Sequence, residues 1–272
     1  TSVFIDDVAH GRQVIFLRGV GGWIVTDRIR AEKQHRYHLL WSFDPDELNP
    51  EEWRETDWRT RGKKPPPKRD FAYAKDQIVA DAVSSAIRTA HPGRPNLSIH
   101  HAASLPLTLE PGRVLQNDDV MFGSSYRAGP EFLADREAVV ASLLYPRRVA
   151  AADMSSFDPV RLARGAGFDA VAPSGETIRY RAVLEPGALS AGDIEATASV
   201  LLAVADKTGT VTGMVLDGTR LVIAGKAVEL PHSDVDFAVS SDVHVSFTPI
   251  RRPLSRVRIL PDADVFTDAV EV

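Results

Sequence analysis

Among the first 35 residues, His10, Asp27 and His35 have the side chains and strand positions a divalent metal could use, with His38 close behind. Two imidazoles and a carboxylate brought together are a common donor set for Zn²⁺. They sit on stretches that read as neighbouring strands, so convergence on one ion is geometrically open. The other reading is equally simple: Asp27 ends a strand, and the histidines are partly exposed, hydrogen-bonded sheet residues. A second group is basic: Arg54, Arg59, Arg61, Lys63, Lys64, Lys68 and Arg69, interleaved with Trp53 and Trp58. In a chain of net charge −5, such a local excess of cations can attract an anionic polymer. Indole faces stack on sugar rings, and guanidinium forks bind carboxylate or sulfate bidentately. The alternative is a solvated loop whose tryptophans tuck into the sheet.

These residues need elements to position them. The runs 12–18, 21–29 and 35–43 alternate apolar and polar residues, are rich in β-branched and aromatic side chains, and are joined by glycine and a short charged linker. They read as a three-stranded antiparallel meander. Val14 and Phe16 share one face of its first strand; Trp23, Val25, Asp27 and Ile29 share one face of the second. Tyr37, Leu39 and Trp41 share a face of the third, with His35 at its start.

Beyond the meander, Asn49-Pro50-Glu51-Glu52-Trp53 has the N-cap, first-turn proline and acids of a short helix. Lys63 to Arg69 carries three prolines and reads as an extended loop. The alanine-rich stretch 77–89 fits helix or strand, and strand is taken. Strands are expected near 97–101 and 105–109, and Phe132 to Val140 reads as a short helix or an irregular connection. A buried strand follows from Val139 to Tyr145, ending at Pro146. From Ala170 onward come short strands with hairpin-turn signals at Gly209, Asp217-Gly218 and Gly225-Lys226. The predicted fold is all-β, a large antiparallel β-sandwich (supersandwich-like) with one or two short helices. Residues 1–150 form the main sheets, and 151–272 continue the sandwich or form a smaller β subdomain.

Several functions are excluded or disfavoured. The Gly-rich nucleotide-binding loops, the Gly-x-Ser-x-Gly elbow, His-Glu-x-x-His and EF-hand loops are all missing from the sequence. A pI near 5.9 argues against a general nucleic-acid binder. No segment approaches the roughly 20 apolar residues of a membrane span. There is no cysteine, hence neither disulfide nor thiolate chemistry. The chain opens at Thr1 with Met121 as its first methionine. That is expected of an excised piece of a longer protein or of a chain relieved of a tag.

The order His10-x-Arg12, Gly22-Trp-Ile-Val-x-Asp27 and His35-Arg-x-x-Leu-Leu-Trp41 resembles the carboxy-terminal β-sandwich region of heparinase II/III-like polysaccharide lyases. Gly93-Arg-Pro-Asn-Leu-Ser-Ile99, Phe122-Gly-Ser-Ser-Tyr126 and Ala141-Ser-Leu-Leu-Tyr-Pro146 follow in the same order. The resemblance covers roughly residues 3 to 150. It implies β-elimination on acidic, uronate-containing polysaccharide, in the periplasm or outside the cell, with most catalytic groups on an amino-terminal helical toroid that this chain lacks. It further implies a zinc held by two His and one Asp, matched here by His10 and Asp27. The third position falls on Ser42, so His35 or His38 would substitute. Finally, it implies that Tyr126 and Arg127, beside Ser124 and Ser125, edge the substrate cleft. Elimination needs a base for the proton α to the uronate carboxyl and cations for the charge that develops. The alternative for Tyr126 is a hydrogen-bonded strand corner, and for the whole chain a non-catalytic carbohydrate-binding or structural sandwich.

Overall fold

The computed structural model describes residues 7–43, 77–109, 115–119, 123–148, 151–223, 225–230, 234–239 and 244–250, with backbone alone for 115–119 and 123–126. The chain order is β1 (Val8–Leu17), β2 (Gly22–Ala31), β3 (His35–His38), β4 (Trp41–Phe43), β5 (Ile78–Asp81), β6 (Ala86–Thr89) and β7 (Asn96–Ala103). Then come β8 (Leu115–Asp119), β9 (Gly123–Ala128), β10 (Glu131–Ala134) and β11 (Glu137–Arg147). The remainder is β12 (Ser156–Leu162), β13 (Gly165–Val171), β14 (Thr177–Ala191), β15 (Ile194–Ala205), β16 (Val211–Leu216), β17 (Arg220–Ile223), β18 (Lys226–Glu229), β19 (Val235–Val239) and β20 (Val245–Pro249). Every pairing between them is antiparallel. Among the described residues there is no α-helix, and no helix is long and apolar enough to cross a membrane. The all-β sandwich-like architecture is therefore as expected. The helix expected from Asn49 lies outside the described residues.

A six-stranded sheet, β1-β2-β11-β7-β6-β5, forms the middle of the molecule. One face meets the nine-stranded sheet of β12–β20: Ile24, Val139, Ala141 and Leu143 pack on Phe168, Ile178, Tyr180 and Val200. The other face is roofed by two small sheets, β10-β3 and β4-β9-β8. There Val8, Ile29, Ala138 and Val140 pack on Phe132 and Ala134, while Ile87 and Ile99 pack on Phe43 and Ala128. Cover on both faces explains why β11 is buried without interruption from Ala138 to Leu143 rather than alternating.

Burial on both faces also forces polar side chains in the middle of β2 to find partners. Thr26 and Asp27, both fully buried, point to opposite sides. Thr26 Oγ1 meets the Tyr180 hydroxyl at 2.6 Å, tying the middle sheet to the nine-stranded one. Asp27 faces the small sheets.

The meander is only partly present. β1 and β2 pair in the expected register, but the second edge of β2 belongs to β11. The expected third strand breaks at Leu39-Leu40 into β3, which pairs with β10, and β4, which pairs with β9. Gly129 sits against this break: a Cβ there would overlap the Leu39 carbonyl, so a side chain would push the two segments apart. Stretch 77–89 is a hairpin of β5 and β6, turning through Ser85 at a φ of 47°. Phe132 to Val140, expected as helix or connection, is instead β10 and the start of β11. Phe132 and Ala134 are buried and Leu133 is exposed, a period of two. The strand expected at 105–109 reduces to one bridge, Thr108 to Glu131, and Pro106 supplies no N–H for a ladder. β11 also runs on through Pro146 to Arg147.

Candidate functional site

On β1 and β2 the alternation of side chains and the register together build a polar cluster. Arg12 lies directly opposite Asp27, and His10 opposite Ile29, so His10 reaches Asp27 diagonally. The Arg12 guanidinium donates from Nε to Asp27 Oδ1 at 2.7 Å and from Nη2 to Oδ2 at 3.2 Å. His10 Nε2 stands 2.6 Å from Oδ1. Burial pushes the Asp27 carboxyl up, but the hydrogen bonds from His10 and Arg12 outweigh it and hold the group below its usual range. An ionised carboxylate only accepts, so His10 Nε2 is the donor and Nδ1 is the ring nitrogen left facing away from Asp27.

Asp27 is fully buried, whereas the His10 and Arg12 side chains are 23% and 35% exposed. Both line a pocket of about 330 Å³, with Tyr37, His38 and the apolar Val8, Ile29, Leu39 and Leu40. That volume falls within the range of small-molecule sites. Tyr37 stacks on Phe132 at 5.4 Å, and its hydroxyl is buried without a hydrogen-bond partner. Its pKa is raised, by burial first and by Asp7 second. Arg12 also lies 5.4 Å over the ring of Trp41, a cation–π contact that covers one face of its guanidinium and leaves its edges uncovered. Behind Trp41, His101 is fully buried, bonded through Nδ1 to Ser142 Oγ at 2.9 Å.

Of the three residues expected to hold a metal, two are brought together. His35 is bonded to Asp7 at 2.9 Å, apart from Asp27. Among the described residues no group of three or more His, Asp or Glu side chains is placed to hold an ion. As arranged, the set does not fit a three-ligand zinc centre: Arg12 occupies both Asp27 oxygens and His10 bonds one of them directly. Arg127 lies on β9 opposite Ser42, its Nε buried without a partner, and Tyr126 lies opposite Phe43, its side chain outside the described residues. Trp53, Trp58, Arg59 and Arg61 also lie outside them. The role of Arg12 was not anticipated as a functional one. The signal for it was present in the His10-x-Arg12 alternation, but it becomes legible only with the β1–β2 register.

Fold and site define an all-β protein of layered antiparallel sheets with a His–Asp–Arg cluster at the rim of a pocket. Compared with protein-family models and with curated protein sequences, the chain matches none.

Proposed function

We propose that this chain is the β-sandwich portion of a heparinase II/III-like polysaccharide lyase and forms one wall of a cleft for uronate-containing polysaccharide. The observation that carries the reading is the His10–Asp27–Arg12 cluster bordering the pocket, in the segment where the family resemblance is densest. Arg12 uses Nε and Nη2 on Asp27, which leaves its Nη1 edge to take a uronate carboxylate. His10, oriented by Asp27, offers Nδ1 to a sugar hydroxyl. Neutralising the carboxylate lowers the cost of removing the proton α to it, and the electron pair then expels the glycosidic oxygen from the β carbon. The base that takes that proton and the acid that protonates the leaving oxygen are expected on the helical toroid of a longer protein.

Zinc is a separate proposal on His10 and Asp27, requiring Arg12 to release the carboxylate and His35 or His38 to swing in. Stoichiometric zinc in protein purified without chelator, lost in Asp27→Ala, would support it; zinc missing from the wild type would end it.

The test of the lyase reading is ultraviolet absorbance of unsaturated product from uronate polymers. Product is expected from a longer protein that contains this chain and not from the chain by itself. Strong activity of the isolated chain would contradict the division of labour, and none in the longer protein would remove the lyase reading. In that case, retained uronate binding would leave a non-catalytic glycan-binding wall.

A further inference from the structure

Phe16 and Trp23 face each other directly across the β1–β2 ladder, with ring centroids 5.4 Å apart and planes tilted by 37°. They are 44% and 36% exposed, and Val14 beside them is 53% exposed. A cross-strand aromatic pair left bare on a sheet face is unusual, because such rings contribute most when buried. The rest of this face is roofed: β3 and β10 cover the Ile29 end, and β4 and β9 cover the strands beyond β11.

The pair is in line with the pocket. Along β1 the same face carries Phe16, Val14, Arg12 and His10 in turn; along β2 it carries Trp23, Val25, Asp27 and Ile29. At the rise of an antiparallel strand, Phe16 stands roughly 13 Å from Arg12, the span of roughly two or three linked sugar rings. Between them on β1 stands Val14, which is itself exposed. β1 is an outer strand of its sheet, so a long chain can cross the platform without meeting another strand.

We propose that Phe16 and Trp23 are an outer subsite, an aromatic platform on which a sugar ring stacks when an acidic polysaccharide has its carboxylate at Arg12. This rests on the uronate-binding reading above. The C–H face of a pyranose suits exposed aromatic rings, whereas a free uronate monomer engaging Arg12 does not reach them. The platform therefore confers length dependence: it adds affinity for long oligosaccharides and none for short ones.

The test is calorimetric titration with uronate disaccharide and hexasaccharide, using wild type, Phe16→Ala, Trp23→Ala and Arg12→Gln. Both aromatic residues are exposed, so thermal melting is expected to stay near that of the wild type in their variants. The expected result is hexasaccharide binding weakened about tenfold in Trp23→Ala and less in Phe16→Ala, with disaccharide binding unmoved. Arg12→Gln is expected to weaken both ligands. Equal hexasaccharide affinity in wild type and Trp23→Ala, with Arg12→Gln still impaired, overturns the platform and leaves the Arg12 site standing. No uronate binding by the wild type overturns both. Sedimentation showing a wild-type dimer that Trp23→Ala splits into monomers would assign the patch to a second copy and overturn the platform.

Discussion

Arg12 grips both oxygens of Asp27 from directly across the β1–β2 ladder, at 2.7 and 3.2 Å, while its guanidinium lies over the Trp41 ring. The two residues are unequal: Asp27 has no exposed surface, and Arg12 keeps about a third of its own. Removing the cation therefore costs more than removing the anion, because it leaves the buried carboxylate with His10 as its one remaining side-chain partner among the described residues, whereas an orphaned Arg12 still reaches water. Arg12→Ala is expected to destabilise the protein by about 1–3 kcal/mol and Asp27→Ala by less. Urea denaturation of the two variants checks this; equal losses, or a larger loss for Asp27→Ala, would contradict the account of the pair.

The same pair sets an acid limit on stability. The folded Asp27 carboxyl is held below its usual range although burial opposes this, because hydrogen bonds from His10 and Arg12 win. Its contribution is thus complete above the unfolded carboxylate value, near 3.8, and is lost as pH falls through the lower folded value. Denaturation midpoints measured from pH 5 downward are expected to drop less steeply in Asp27→Asn than in wild type.

His101 acts at higher pH. Burial, aided by neighbouring His100 and opposed by Asp27, pushes its imidazole down to about 3 from an ordinary 6.5. Between those values the unfolded chain takes up a proton that the folded chain refuses, so stability present above pH 6.5 is lost as pH falls towards 3. The slope is about 1.4 kcal/mol per pH unit at its steepest. In His101→Gln the loss between pH 6.5 and 4 is expected to shrink by most of that slope. A variant as acid-sensitive as wild type over this window would place the effect elsewhere.

Thr26 and Tyr180 join two sheets through one buried hydrogen bond of 2.6 Å. Tyr180→Phe leaves the Thr26 hydroxyl without its partner and is expected to cost about 1–3 kcal/mol. Thr26→Val in the same background removes the stranded group, so the double variant is expected to be no less stable than Tyr180→Phe. A double-mutant cycle in denaturant measures this, and strictly additive losses would show that the bond is not coupling the layers.

Local patterns in the sequence placed many of the strands and their faces, but not β10, the start of β11 or the single bridge at Thr108. Trp23, Val25, Asp27 and Ile29 do share one side of β2, and the turn residues Gly209, Asp217-Gly218 and Gly225-Lys226 do separate strands, although β14 and β15, at 15 and 12 residues, are longer than expected. Pairing partners were not legible, because they depend on distant segments. β2 takes β11 as its neighbour from more than a hundred residues away, and Tyr37-Leu39-Trp41 reads as one strand although the approach of Gly129 splits it. The site followed the same rule. His10 and Asp27 were visible as candidates, but His35 is close to them only in sequence, since β3 joined β10 and left the β1–β2 sheet. Arg12 became a candidate once the register set it opposite Asp27.

The central claim is that the rim of this pocket recognises an acidic sugar through Arg12, and calorimetry with a uronate trisaccharide and its neutral carboxyl-reduced counterpart tests it most directly. Wild-type protein is expected to bind the uronate and not the neutral sugar. Arg12→Gln, which keeps an amide N–H for Asp27, is expected to bind the uronate about tenfold more weakly while melting as a folded protein. Equal affinity for the charged and neutral sugars, or uronate binding unchanged in Arg12→Gln, would contradict the claim.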